Sequence, residues 1–95
     1  MQIENNKNIS PKNTENLRTW LEISKSAIDN NIAQYKKIIG NKILAPVIKS
    51  NAYGHGILEV AKILEQNKDI DWMCVANAYE ALLLRKKETP SVVIA

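Results

Sequence analysis

Phenylalanine is absent from this 95-residue sequence, and tryptophan and tyrosine together supply only five residues. So few rings exclude a single-strand nucleic-acid platform built from stacked aromatics. Cys74 is the only cysteine, which excludes an intrachain disulfide and fits a reducing compartment. His55 is the only histidine, which excludes a zinc site with two or more histidine ligands. No metal is expected. Three glycines and three prolines are too few for a collagen-like or linker-like chain. No apolar run approaches the ~20 residues of a membrane span. The opening Met1-Gln2-Ile3-Glu4-Asn5 lacks the basic-then-apolar order of a secretory signal. A cytoplasmic location, with no membrane and no nucleic-acid partner, is the expectation.

What is present is the balance of an ordinary globular chain, 45% hydrophobic and 24% charged. Thirteen basic against ten acidic residues leave +3, a mild excess that bears on solubility more than on partners. The densest basic cluster, Arg85-Lys86-Lys87, is followed by Glu88 and suits a helix C-terminus better than a nucleic-acid patch.

Residues 1–16 hold five of the eleven asparagines and almost nothing apolar, the composition of a polar, disordered leader. The globular pattern runs from 17 to 95. Thr19 to Ile23 alternates weakly and suits a short strand. Ala27, Ile28, Ile32, Tyr35 and Ile39 recur at helical spacing, with Ser26 and Asp29 as a weak capping box and Gly40 as the stop. Ile43 to Ile48 is a nearly continuous apolar run, a strand buried on both faces, although Pro46 cannot donate a ladder bond. Ser50 to Gly56 is a polar loop. A helix follows on Ile57, Val60, Ala61 and Leu64, then a strand over Asp71 to Ala76. The next helix is carried by Ala78, Ala81, Leu82 and Arg85, and a further strand runs from Ser91 to Ala95. Strand, helix, strand, helix, strand predicts an α/β fold of parallel βαβ units. Three such strands neither close a barrel nor cover both faces of a sheet, so the expectation is the start of a larger domain.

The chemistry concentrates at Lys49. It ends a buried apolar strand, and in α/β folds ligands bind at the carboxyl ends of strands. A lysine partly desolvated there has a lowered pKa and a free amine that attacks aldehydes. The bland alternative is a lysine snorkelling from the sheet into water. Gly54 and Gly56 allow positive φ and close backbone approach to a ligand. Tyr53 offers a phenol four residues beyond the lysine. His55 could do the same, or could simply satisfy the loop's own hydrogen bonds. Neither glycine spacing matches a dinucleotide fingerprint or a P-loop.

From Arg18 to Ala95 the sequence resembles the N-terminal part of alanine racemases. Three blocks carry the resemblance: Thr19-Trp-Leu-Glu-Ile23, Val47-Ile-Lys-Ser-Asn-Ala-Tyr-Gly-His-Gly56, and Val75-Ala-Asn-Ala-Tyr-Glu-Ala-Leu-Leu-Leu-Arg85. The middle block is the most specific. The family folds as a (β/α)₈ barrel, so the implied architecture is the N-terminal portion of a TIM-type barrel, truncated before closure. The implied cofactor is pyridoxal 5'-phosphate, held by Lys49 as a Schiff base. Lys49 would also be one of two bases acting on the substrate's α-proton. Tyr53 would sit near the cofactor phosphate, and Ile94 takes a position that lines the same pocket.

The implied reaction interconverts L- and D-alanine, supplying D-alanine for peptidoglycan, in a homodimer. The sequence also departs from the family's common pattern. Pro46 replaces a small or β-branched residue, Ser50 an alanine, and Ser24 and Tyr79 frequent acidic residues, while the turn before Pro90 lacks the usual glycine. These departures bear on subfamily. A barrel takes ~250 residues, and the opposing tyrosine base and most cofactor ligands of the family have no counterpart in 95 residues. The isolated chain is therefore expected to be inactive. A racemase of other or broad specificity, such as serine or lysine, and a non-catalytic pyridoxal-phosphate-binding homologue are the alternatives.

Overall fold

The computed structural model describes residues 17–85 and 91–94. The expected leader over 1–16 lies outside these residues, as do Pro90 and Ala95. The element order is α1 (Lys25–Ile39), α2 (Lys49–Tyr53), α3 (Ile57–Glu65), β1 (Trp72–Val75), α4 (Ala78–Arg85) and β2 (Ser91–Ile94).

The N-cap of helix α1 lies two residues earlier than the sequence suggests. Ser24, not Ser26, is the N-cap: its backbone is extended (φ −99°, ψ 108°) and its hydroxyl accepts from the Ala27 N–H at 3.2 Å. An N-cap must have non-helical dihedrals, and Ser26 is already inside the helix. Asp29 is used elsewhere, pairing with Lys25 at 2.6 Å and accepting from the Asn67 amide at 3.1 Å. Gly40 ends the helix with φ 65°, donating its N–H to the Lys36 carbonyl. Thr19 to Ile23 forms no strand among the described residues. Only Ile23 is buried there, and alternate Leu21 stays exposed, so the weak alternation does not build a buried face.

β1 is the middle of the sheet. It pairs in parallel with β2, Trp72 opposite Ser91 through Val75 opposite Ile94. On its other side it bridges in parallel to Val47 alone. Cys74 donates to the Pro46 carbonyl at 2.9 Å and accepts from the Ile48 N–H at 2.8 Å. The equivalent bond two residues earlier would need an N–H at Pro46, which proline does not have. The expected strand over 43–48 is thereby reduced to a single bridge. Asp71 compensates at the start of the run: its N–H donates to the Leu44 carbonyl and its carboxylate accepts from the Leu44 N–H.

Met73 and Val75 on β1 are fully buried, with Ile63 and Leu84 among the most enclosed side chains. Ile57, Ala61 and Leu64 of α3 share one core cluster with Met73, Val75 and Leu84. Helix α4 turns a different face inward than its alanine spacing predicts. Leu82 is 63% exposed, whereas Glu80 and Leu84 are buried. Positions four apart share a helix face, so the inward hydrogen bonding of Glu80 carries Leu84 into the core. The result is a partial α/β fold of helices alternating with parallel strands. No described helix is long and apolar enough to cross a membrane.

Candidate active site at the carboxyl end of a strand

The chain leaves the strand run at Ile48, places Lys49, and then turns left-handed. Ser50, Asn51 and Ala52 lie at (53°, 51°), (57°, 41°) and (54°, 46°), Tyr53 has φ 55°, and Gly54 follows at φ 92°. The expected loop is therefore one turn of left-handed helix. An L-residue in this conformation costs ~1–2 kcal/mol, so four of them cost about 4–8 kcal/mol. Hydrogen bonds within and beyond the turn must offset that.

They do so around Asn51 and Ser50. The Asn51 carbonyl accepts from Gly54 and Gly56, and its side-chain oxygen accepts from the Ile57 N–H at 2.8 Å, satisfying the start of α3. Asparagine is among the few residues that visit this region readily, which explains its place here. The His55 N–H and ring Nδ1 both meet the Ala52 carbonyl, and Ala52 itself is buried. His55 thus does the structural work that was its bland alternative. Gly56 sits at φ 101°, where an added Cβ would collide with the Glu59 carboxylate.

Across the sheet end stands a residue that the sequence reading left without a role. The Glu80 carboxylate, 9% exposed, accepts from the Ser50 N–H through Oε2 and from the Ala76 N–H through Oε1, both at 2.8 Å. Its own N–H donates to the Asn77 side chain at 2.9 Å. The signal for it was the Asn77-x-x-Glu80 spacing of a capping box.

The structure places the predicted site residues at one end of the sheet. The ladder Val47–Cys74–Val93 sets Ile48, Val75 and Ile94 level with one another, and Lys49 and Tyr53 follow beyond them. Two strand spacings, about 10 Å, separate the Lys49 run from β2. Tyr53 is 62% and Ile94 55% exposed. No hydrogen bond joins the three side chains among the described residues. Lys49 is exposed rather than partly desolvated, because the turn carries the chain away from the packed sheet immediately after Ile48. Its amine has no hydrogen bond or ion pair among the described residues.

An apolar groove of about 420 Å³ opens between α1 and the 44–48 run, lined by Ile28, Ile32, Tyr35 and Val47 among others, and Lys49 is not part of it. No group of three His, Cys, Asp or Glu side chains suited to a metal ion occurs among the described residues. The chemistry on offer is an unpartnered primary amine and a phenol, the donor set of a carbonyl-binding site with an anion nearby.

Residues 23–95 match the family model described as alanine racemase, N-terminal domain. The alanine racemase of Fusobacterium nucleatum is 41% identical over 70 residues, covering 74% of this chain and 20% of that protein. The alanine racemase of Clostridium kluyveri is 46% identical over 69 residues, covering 73% of this chain and 17% of that protein. The crystal structure of alanine racemase from Oenococcus oeni superposes with a TM-score of 0.67 at 34% identity, over 75% of this chain and 21% of that one. The chain thus spans about a fifth of the length of the relatives it matches.

Proposed function

The chain belongs to the alanine racemase N-terminal domain family, and from that premise we propose that it carries the cofactor lysine of an enzyme interconverting L- and D-alanine. Pyridoxal 5'-phosphate is the proposed cofactor, Lys49 its attachment point, and D-alanine for peptidoglycan the product. The observation that supports this most is the Lys49 amine, exposed at the carboxyl end of a parallel strand run and without a hydrogen bond or ion pair among the described residues. The donor set fits the group: a primary amine, and a phenol four residues on. When bound there, the cofactor supplies an aldehyde that condenses with an amine, releasing water, and a ring that withdraws electrons from the substrate's α-carbon.

The chain's own residues do the rest. The left-handed turn fixes the backbone directly after Lys49, so the root of the side chain is held while its four-carbon stem gives reach. Once free of the cofactor, the Lys49 amine would take the α-proton from its own face of a bound amino acid in one direction of the reaction, and its ammonium form would deliver a proton to that face in the reverse direction. The Tyr53 phenol donates a hydrogen bond to the anionic end of the cofactor. Ile94, at the end of β2, bounds the site on the sheet side. A base on the opposite face completes racemisation, and the assembled enzyme is a homodimer in this reading.

The test is direct. The chain is incubated with pyridoxal phosphate, reduced with borohydride, digested and mapped by mass spectrometry. A label concentrated on Lys49 supports the proposal. A label spread over the other ten lysines in proportion to their exposure defeats it.

A further inference from the structure

Glu80 carries an N-cap spacing but does not serve its own helix in the usual way. In a capping box, the third-position glutamate returns to the N–H of the capping residue. Here Asn77 caps α4 by accepting from the Glu80 N–H, yet the Glu80 carboxylate turns away from the Asn77 N–H. One oxygen goes to Ala76, the first residue after β1, and the other crosses 30 residues of sequence to Ser50, the residue after Lys49. The carboxylate is 9% exposed and both bonds are 2.8 Å, short and charge-assisted. A single buried carboxylate therefore ties together the two backbone loops at the carboxyl ends of neighbouring strands. One of its anchor points is the first residue of the left-handed turn.

We infer that Glu80 is the positioning residue of the Lys49 turn. It fixes the direction in which the chain leaves the strand, and so where the Lys49 amine stands. The clamp rests on geometry alone; its consequence for chemistry rests on the proposal that Lys49 is the cofactor lysine.

The experiment compares the 95-residue chain with its Glu80→Gln and Asn77→Ala variants. Amide hydrogen exchange is read at Ser50, Ala76 and along α1, and borohydride-trapped pyridoxal phosphate is read as the Lys49 share of total label. Glutamine keeps one acceptor and turns an NH₂ toward the other amide. In Glu80→Gln the protection of Ser50 or Ala76 falls about ten- to hundred-fold, the range for losing one bond to a charged acceptor. The α1 amides keep their protection, and the Lys49 share drops toward that of the other lysines. Asn77→Ala weakens the start of α4 but leaves Ser50 protection and the Lys49 share near wild type.

The inference is overturned by unprotected Ser50 and Ala76 amides in the wild-type chain, by no change in either amide in Glu80→Gln, or by equal losses from Asn77→Ala. Loss of α1 protection in Glu80→Gln also overturns it, because that makes Glu80 a general support of the fold. Wild-type label that misses Lys49 while Glu80→Gln still loosens Ser50 defeats the cofactor proposal and leaves the clamp standing.

Discussion

Helix α1 and the turn after Lys49 solve opposite problems. The helix is fifteen residues held by local means: a serine cap, a glycine stop and a Lys25–Asp29 pair one turn apart. It contributes one buried side chain, Ile32. The turn from Ser50 to Gly56 is half that length and runs against the handedness that L-residues prefer. Its internal bonds are supplemented by two that leave it, to Ile57 at the start of α3 and to Glu80 of α4. A segment built from local preferences tolerates change. One held in an unfavourable conformation by distant partners is kept for what it positions, and strain of this kind clusters at functional sites.

The largest expected effect separates function from stability within the turn. Lys49→Ala removes the amine, so covalent attachment of pyridoxal phosphate at this position is lost completely. Because Lys49 is exposed and unpartnered among the described residues, amide exchange in both α1 and the turn stays as in wild type. Lys49→Arg fails in the same assay, since a guanidinium stays protonated. An intact level of attachment in either variant means another lysine carries the cofactor.

Next comes a change with no equivalent in α1. Gly56→Ala puts a Cβ at φ 101° and against the Glu59 carboxylate. Strained backbone of this kind costs ~1–3 kcal/mol; the Glu59 carboxylate ends a flexible side chain and swings aside, so the expected loss by chemical denaturation is about 1–3 kcal/mol, set by the backbone. A loss under about 0.5 kcal/mol, the usual limit for a surface change, would mean that Glu59 and the backbone shift freely. On the helix side, Ser24→Ala removes the acceptor for the Ala27 N–H. It is expected to cost about 1 kcal/mol, with faster exchange confined to the first turn of α1. Exchange that also rises at Ser50 would erase the distinction between the two regions.

The same distinction explains what was legible in the sequence. Helices α1 and α3 and strands β1 and β2 follow from spacing and apolar runs, because their reasons lie within a few residues. Pro46 marked a defect in its strand, and the structure shows the missing donor as the cause. Lys49 was legible by its place at a strand end. The handedness of the turn was not, because Ser-Asn-Ala-Tyr does not impose four left-handed residues. Glu80, 30 residues away from Ser50, supplies part of the reason, and no local pattern links the two. The face of α4 differs from its spacing for the same cause: three consecutive leucines leave its rotation open, and the Glu80 bonds decide it.

The smallest expected effect is the sharpest, because its sign reverses between the regions. Ala33 is exposed in the interior of α1, and Ala33→Gly there is expected to cost about 1 kcal/mol through lost helix propensity. Ser50 is also exposed, but it sits at φ 53° and ψ 51°. Its hydroxyl makes no hydrogen bond among the described residues, and its backbone N–H, the group that meets Glu80, is retained by glycine. Ser50→Gly relieves ~1–2 kcal/mol of left-handed strain. Against this stands ~0.5–1 kcal/mol of added freedom in the unfolded chain. The net is a gain of about 0.5–1 kcal/mol, read as a higher denaturation midpoint at unchanged slope. Were Ser50→Gly to cost as much as Ala33→Gly, the Ser50 backbone would be right-handed in solution, and the account of the turn as a strained support for Lys49 would fall with it.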